Sequence, residues 1–309
     1  PYVDKYDLTV SPFLTAEAAY GRIIEDLKAA EEIMQENGEY FEEVDKQNNE
    51  FLKDRQIHMN LYAIQGILAR VYWMKGDLKT AAEYAQKILD CKYFELADKS
   101  EIEDLINGVL SPKETIWGLF SANFYTNVRA DLYLSGGTSS LFLKADHDDT
   151  YMADKEGTDY RYEKWFKNYS AIEASGMRCI KVLDTYELNY ATRSDARVKG
   201  VNMLRLPELY YIITEYYLSI DNQTEAVKYF DKVLVSRGLT GYANRQGATL
   251  TLEKVIQERR KELVCEGQYF FTQKRYNQNI YEPKSGKIYQ ASNDIYVLPL
   301  PENETEYRY

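Results

Sequence analysis

The chain has 309 residues, of which 45% are hydrophobic and 28% are charged, values typical of a globular protein with a sizeable buried core. Its 38 basic and 49 acidic residues give a net charge of −11, which argues against binding to nucleic acid or to anionic lipid head groups. The sequence also contains no run of about 18 apolar residues, so it predicts no membrane-spanning helix.

The first predicted element is a helix over residues 15–36. Thr15 is a good N-cap, and Glu17 places a negative charge in the first turn, where the helix dipole favours it. Apolar residues recur along one face of this helix at Ala19, Ile23, Leu27, Ala30 and Met34. The charged, Asn-rich stretch 36–53 follows and predicts a loop.

Residues 57–90 predict a pair of packed helices. An apolar helix over 57–74 is broken at Gly76-Asp77, and a second helix follows over 79–89. The pair resembles a tetratricopeptide unit, in which small residues let two helices approach and an aromatic ring fills the groove between them. The residues at these pattern positions are Leu68, Ala69, Tyr72, Ala81 and Ala85.

The same frame recurs later in the chain at identical mutual spacings. Asp221-Asn222 takes the place of the turn between the two helices. The residues at the pattern positions are Ile213, Thr214, Tyr217, Ala226 and Phe230. The two copies are not adjacent, so the sequence predicts a long insertion between them rather than a simple repeat array.

This insertion, residues 91–204, is the predicted ligand-binding region. Long irregular segments on a rigid frame often carry binding functions, and the apolar segment 114–120 predicts a strand within it. The chain has 29 tyrosines, and aromatic faces with polar edges suit sugars. The candidate ligand contacts are Tyr160, Tyr162, Trp165, Tyr169 and Trp117. The alternative for each of them is a packing role in the core.

An acidic run in the insertion is a second candidate site. Asp146, Asp148 and Asp149 offer hard oxygen ligands for Ca²⁺, but their spacing is not that of an EF-hand loop, and a solvated acidic loop is the alternative. With only His58 and His147 in the chain, a His-rich metal site is excluded. The sequence has no phosphate loop, nucleophile elbow or metalloprotease motif, so we expect no cofactor and no enzymatic activity.

Three cysteines, Cys91, Cys179 and Cys265, are widely separated along the chain. Their odd number and spacing indicate neither a disulfide framework nor a zinc site. We therefore expect them to be small buried hydrophobic residues.

The carboxy-terminal part begins with a predicted helix over 251–264, capped by Thr251. Glu258, Glu262 and Glu266 recur on it at helical spacing. Neighbouring carboxylates on one helix cannot flank a glycosidic bond, so we expect ion pairs in which Arg259 or Arg260 ties this helix to the repeats. The apolar tail 296–301 contains two prolines and predicts an extended segment.

Several of these segments, in this order, resemble the SusD/RagB family of outer-membrane nutrient-binding lipoproteins. The similarity covers about residues 15–90 and 205–301. The motifs that carry it are Leu68-Ala69-Arg70-Val71-Tyr72, Leu206-Pro207-Glu208-Leu209-Tyr210-Tyr211, Glu258-Arg259-Arg260-Lys261-Glu262-Leu263, Glu266-Gly267, Phe270-Phe271, Lys274-Arg275-Tyr276 and Leu298-Pro299-Leu300-Pro301. Pro207 departs from the pattern, which has a non-proline residue at that position.

The resemblance implies a mainly α-helical superhelix of tetratricopeptide-like pairs with few short strands. It implies one domain over 1–309, with a repeat frame at 15–90 and 205–264, the insertion at 91–204 and an extended segment at 265–309. The implied function is non-enzymatic capture of an oligosaccharide, or another nutrient, on the outer face of the bacterial outer membrane. The implied partner is a SusC-like TonB-dependent transporter, against which the helical repeats dock.

Family members carry a lipid-anchored Cys and an amino-terminal helical region, and this chain has neither. We therefore expect a carboxy-terminal portion or a short member of the family, in which the membrane is reached only through an anchor outside this chain. Two other functions remain open from the residues alone. One is a general tetratricopeptide scaffold that binds a peptide, and the other is an all-α enzyme acting on glycans.

Overall fold

The computed structural model shows a mainly helical protein with few short strands, which confirms the predicted fold class. The residues that the structure describes are 2–7, 10–36, 54–101, 110–121, 150–151, 158–171, 174–179, 181, 200–282 and 285–301. Among these residues, no helix combines the length and the apolar character needed to cross a membrane.

The helices and strands are named in chain order. Their bounds are α1 (Ala16–Glu36), α2 (Leu61–Lys75), α3 (Leu78–Leu89), β1 (Thr115–Phe120), α4 (Tyr160–Trp165), β2 (Phe166–Ala171), β3 (Ala174–Cys179), β4 (Gly200–Arg205), α5 (Leu206–Ser219), α6 (Gln223–Ser236), α7 (Leu252–Glu262), α8 (Tyr269–Arg275), β5 (Ile280–Glu282), β6 (Lys287–Tyr289) and α9 (Asn293–Tyr296). Short 3₁₀ turns cover Arg55–Ile57 and Tyr242–Asn244.

The first predicted helix is confirmed as α1. It begins directly after Thr15, whose hydroxyl accepts a hydrogen bond from the backbone N–H of Ala18 at 3.2 Å. Its buried Glu31 binds three groups on the next two helices, the side chains of Gln65, Tyr84 and Lys87, at 2.9–3.2 Å. These contacts attach α1 to the first helix pair.

The first helix pair is confirmed as α2 and α3, although α2 begins later than predicted. Asn60 stops the helix from extending to residue 57, because its backbone is extended and its side chain caps the N–H of Ala63 at 2.9 Å. Gly76 ends α2 with φ of 93°, a left-handed conformation that glycine adopts at no steric cost. Asp77 then caps α3 through the N–H of Thr80.

The second pair, α5 and α6, repeats this construction. Asn222 caps α6 through the N–H of Glu225 at 3.2 Å. Pro207 lies in the first turn of α5, where a missing N–H is not needed, so the departure from the family pattern does not disturb the helix.

The small and aromatic residues of the repeat pattern pack as predicted. Ala69, Ala81 and Ala85 are completely buried in the core. Tyr72 of α2 stacks on Tyr84 of α3, with ring centroids 5.8 Å apart and an interplanar angle of 11°. The equivalent residues of the second pair, Tyr217 and Tyr229, are also stacked, at 5.6 Å and 17°.

The two ends of the insertion join in a two-stranded sheet that lies against the frame. The predicted strand is confirmed as β1, which pairs antiparallel with β4, and β4 leads directly into α5. Gly66 of α2 makes this packing possible, because a Cβ atom there would lie 2.2 Å from the side chain of Leu204. A second sheet within the insertion is the hairpin β2–β3, in which Phe166 is opposite Cys179.

The carboxy-terminal part differs from the extended segment predicted over 265–309. Its described residues form α8, the hairpin β5–β6 and the short α9. Arg275 and Tyr276, at the end of α8, anchor this helix by binding Glu215 of α5 at 2.8 and 2.5 Å. The proline-containing Leu298–Pro301 has neither helix nor strand, as expected.

Candidate ligand-binding site

Three aromatic rings of the insertion form a cluster, defined here as Tyr151, Tyr162 and Phe166. Tyr151 and Phe166 meet edge to face with centroids 5.0 Å apart, and Tyr162 lies 6.2 and 6.3 Å from these two rings. Tyr151 and Phe166 are buried, whereas Tyr162 is only half-buried. Tyr162 is therefore the ring of the cluster that reaches the surface.

Helix α4 carries Tyr162 of this cluster, and Tyr160 near it, and it begins and ends at defined points. Asp159 caps it by accepting a hydrogen bond from the N–H of Arg161 at 3.0 Å. The helix ends at Phe166, where the backbone becomes extended and β2 begins. Tyr160 and Tyr162 are half-buried, while Arg161 between them is completely buried.

Arg161 anchors α4 to the helical frame. Its guanidinium binds Asp159 at 2.8 Å, Glu258 of α7 at 2.7 Å and Glu262 of α7 at 3.3 Å. Breaking a buried pair of this kind costs about 3–5 kcal/mol, because the partner is left charged and unpaired. The orientation of α4 is thus coupled to that of α7.

The same network continues to the sheet and to the second helix pair. Arg205, at the end of β4, binds Glu114 at 3.0 Å and Glu262 at 2.9 Å, and Arg237, after α6, binds the same two carboxylates at 2.8 and 2.9 Å. Burial alone would raise the pKa of Glu262, but Arg237, Arg205 and Arg161 outweigh burial and hold that pKa well below its usual value.

Charge is balanced within this network. Among the described residues it joins five cations, Arg161, Lys181, Arg205, Arg237 and Lys261, to five carboxylates, Asp159, Glu114, Glu258, Glu262 and Glu266. Each carboxylate is held by at least two cations, so none of the buried charges lacks compensation. The network fixes the insertion, β4 and α7 in one arrangement.

A small cavity of about 140 Å³ opens beside the cluster, between α6, the 242–244 turn and α7. Lys261 lines this cavity, and its backbone carbonyl accepts a hydrogen bond from the Tyr151 hydroxyl at 2.7 Å. The lining residues are Thr150, Phe230, Leu234, Tyr242, Arg245, Lys254, Gln257, Glu258 and Lys261. Sites for drug-sized ligands measure about 300–1,000 Å³, so this cavity has room for one end or one unit of a larger ligand.

The half-buried Tyr160 is held between two features of the frame. Its backbone N–H binds the carbonyl of Arg237 at 2.9 Å, and its ring lies so close to Gly238 that a Cβ atom there would be 2.5 Å away. The ammonium group of Lys99 lies 4.8 Å from the ring centroid. Tyr160 is therefore fixed in position before any ligand arrives.

Trp165 is a correction to the sequence-based prediction. Its side chain is 0% exposed, and the ammonium group of Lys181 lies 4.1 Å from its ring centroid. A buried ring covered by a cation offers no free face to a sugar, so Trp165 stabilises the site from within the core.

The other predicted residues fall in different surroundings. Trp117 on β1 is half-buried and packs against the main core. The backbone of Tyr169 lies in β2, and its side chain is not among the parts that the structure describes. Asp146, Asp148 and Asp149 lie outside the described residues, within which no group of His, Cys, Asp and Glu is arranged to hold a metal ion.

The ion pairs predicted for α7 are present, but only some of the residues that form them were predicted. Arg259 binds Glu208 of α5 at 2.7 Å, which confirms that it ties α7 to the repeats, whereas Arg260 is exposed and stacks near Tyr269. Sequence reasoning missed Arg161 and Arg237 as buried anchors. The spacing of the three glutamates was the available signal, but it gave no indication of which distant arginines they bind.

Comparison with known proteins gives a consistent family assignment. The model of the SusD family matches residues 122–308. A search of curated proteins finds no match. Similar solved structures include a SusD-like carbohydrate-binding protein from Bacteroides vulgatus, with a TM-score of 0.67 and 16% identity, covering 93% of this chain and 64% of that one.

Two further structures show the same fold. A SusD superfamily protein from Bacteroides vulgatus has a TM-score of 0.69 and 22% identity, covering 95% of this chain and 64% of that one. Surface glycan-binding protein A from Bacteroides uniformis has a TM-score of 0.67 and 16% identity, covering 99% of this chain and 70% of that one. The chain thus spans about two thirds of the length of the structures it resembles.

Proposed function

Since the chain belongs to the SusD family, we propose that it captures an oligosaccharide, or another nutrient, without converting it chemically. The observation that carries the proposal is the pair of half-buried tyrosines, Tyr160 and Tyr162, on a helix anchored to the frame by Arg161. Their apolar faces suit the apolar sides of sugar rings, and their hydroxyls suit sugar hydroxyls. Solved structures with this fold include a carbohydrate-binding protein and a surface glycan-binding protein, which supports the proposal.

Pre-organisation supports binding at this place. Ligand affinity is reduced by the free energy needed to order side chains, and rings that are already fixed avoid most of that penalty. Tyr160 is held by Gly238 and Lys99, and Tyr162 is held by the aromatic cluster. We assign the cavity beside the cluster to one unit of the ligand.

Native affinity electrophoresis through neutral and acidic polysaccharides tests the binding proposal. We expect one glycan to retard the chain and a Tyr160→Ala, Tyr162→Leu double variant to migrate without retardation. Tyr281→Ala, which removes an exposed tyrosine from the distant β5 strand, is the matched control and should be retarded like the parent chain. Equal retardation of the parent and the double variant would refute this site.

The absence of catalysis has its own test. Incubation with the retarding glycan should release no new reducing ends, because the proposed contacts bind the sugar without flanking a glycosidic bond with two carboxylates. An increase in reducing ends that depends on the protein would contradict the non-enzymatic assignment.

We further propose that the full-length protein is lipid-anchored on the outer face of the outer membrane and delivers its ligand to a SusC-like TonB-dependent transporter. The helical repeats are assigned to docking, and Ile33 on α1 and Val235 on α6 are both 59% exposed on that frame. Binding of the purified chain to a purified SusC-like transporter should weaken in an Ile33→Asp, Val235→Asp variant. Unchanged affinity for the transporter would contradict a docking surface that includes Ile33 and Val235.

A further inference from the structure

Two cysteines that are 86 positions apart in the sequence meet in the structure. Cys179 ends strand β3, and Cys265 lies three residues after the end of α7. Their thiols lie close enough to interact with each other, and no disulfide joins them. Of the three cysteines predicted to be buried, Cys179 is buried, Cys91 is half-buried and Cys265 is exposed, so the prediction is wrong for Cys265.

The chain segments that carry the two cysteines are held side by side by an independent set of contacts. Lys181, two residues after Cys179, donates a hydrogen bond to the backbone carbonyl of Glu262 at 2.8 Å and pairs with Glu266, the residue after Cys265. Arg205 also binds both Glu262 and Glu266, at 2.8 and 2.7 Å. The proximity of the thiols thus follows from the buried ion network and not from one flexible side chain.

The backbone of Cys265 is a second observation. Its φ is 61°, a left-handed conformation that is unfavourable for side chains other than Gly, Asn and Asp. A helix commonly ends with glycine in this conformation, and Gly267 nearby has φ of 71°. Non-glycine residues in this region cluster at functional positions, where the surrounding structure holds them. A thiol that pairs with Cys179 gives a reason for cysteine at this position.

We propose that Cys179 and Cys265 form a disulfide bond that locks the β2–β3 hairpin of the insertion to the α7–α8 turn. The proposal goes beyond ligand capture, and the surface location under "Proposed function" supplies the oxidising compartment in which such bonds persist. The exposed Cys265 thiol reacts first, and the buried Cys179 thiol then closes the bond.

The oxidant is a low-molecular-weight disulfide or a disulfide oxidoreductase. The Cys265 thiolate attacks the disulfide and releases one thiol, which gives a mixed disulfide on Cys265. The Cys179 thiolate then attacks the Cys265 sulfur and releases the second thiol. Two protons and two electrons leave the protein, and the oxidant is reduced to two thiols.

The order of these steps predicts a pH dependence. Contact with Cys265 and burial raise the pKa of the Cys179 thiol well above its usual value. Because the thiolate is the attacking species, the closing step should become faster as the pH rises. The other titratable groups that interact with the Cys179 thiol are Lys181, whose positive charge lowers its pKa, and the buried Tyr151.

The test uses a Cys91→Ala variant, which removes the remaining cysteine. After incubation with oxidised glutathione, denaturation and alkylation, we expect no alkylated thiol. The intact mass should be lower by two hydrogen atoms than that of the same variant in its reduced form. The matched control is Cys91→Ala, Cys265→Gly, in which glycine accepts the left-handed backbone and no such bond can form. Two alkylated thiols, or a lasting glutathione adduct on Cys265 in the first variant, would overturn the proposal.

A stability measurement gives a second readout. A bond that closes so long a loop should raise the melting temperature of the oxidised Cys91→Ala variant by on the order of 5 °C. A thiol reductant should remove that increase and should leave the Cys265→Gly control unchanged. An equal response of both variants to reductant would contradict the bond. Neither readout uses a glycan, so its outcome is separate from that of the binding proposal.

Discussion

Glu208 gives the sharpest test of how buried charges hold this fold. Its carboxylate on α5 lies between two guanidinium groups, at 2.6 Å from Arg70 of α2 and 2.7 Å from Arg259 of α7. Burial by itself would raise the pKa of Glu208, but the charges and hydrogen bonds of both arginines outweigh burial and lower that pKa from 4.5 to about 2. The charged form is therefore favoured in the folded state.

This pKa shift determines how much the Glu208 carboxylate stabilises the folded chain and over which pH range that stabilisation is lost. One pKa unit corresponds to about 1.4 kcal/mol, so a shift from 4.5 to about 2 stabilises the folded chain by about 3 kcal/mol at neutral pH. A lowered folded-state pKa gives stability that is present above the unfolded pKa and lost as the pH falls through the folded pKa. We expect this contribution to disappear between about pH 4.5 and pH 2.

Urea denaturation of Glu208→Gln and of the parent chain at several pH values measures this contribution. At pH 7 the variant should lose about 3 kcal/mol of unfolding free energy, and the difference from the parent should shrink towards pH 2. The matched control is Glu225→Gln on α6, whose carboxylate forms a surface pair with Lys228 and should change stability by less than about 1 kcal/mol. A pH-independent difference for Glu208→Gln would refute the reasoning.

Two other substitutions probe the anchoring of α4. Glu262→Gln should lower the unfolding free energy by about 3–5 kcal/mol, because it removes a buried negative charge that Arg161, Arg205 and Arg237 share, whereas the exposed Glu253→Gln on the same helix should have little effect in the same urea titration. Gly238→Ala should both destabilise the chain and weaken glycan retardation, because its φ is 84° and a Cβ atom would collide with the ring of Tyr160. Gly76→Ala has a similar φ of 93° but open space around it, so it should lower the melting temperature through backbone strain of about 1–2 kcal/mol and leave glycan binding unchanged. Equal glycan affinity of the two glycine variants would argue against Tyr160 as a contact.

The ion network explains how an irregular insertion can carry a defined site. The carboxylates of Glu114 and Glu262 are shared by Arg205 and Arg237, so β1, β4, α6 and α7 meet at one buried point. Arg161 extends this point to α4 and its tyrosines. Each of these charges is stabilised only when the others are in place, since a buried charge without its partner is strongly unfavourable.

The sequence by itself determined the helical frame. Caps such as Thr15 and Asn222, and the turn at Gly76-Asp77, lie within a few residues of the backbone groups that they control. The register of the two repeat copies also follows from local spacing, because residues three and four apart share one helix face. Patterns of this range are visible in the sequence without knowledge of the distant chain.

The tertiary structure alone decided the character of the site. The partners Glu114 and Arg237 are 123 residues apart, and Arg161 and Glu262 are 101 apart, so no local pattern links them. Burial of Trp165 beneath Lys181 depends on the same long-range packing. Aromatic composition indicates that rings are available, but only the packing of distant segments determines which rings remain open to a ligand.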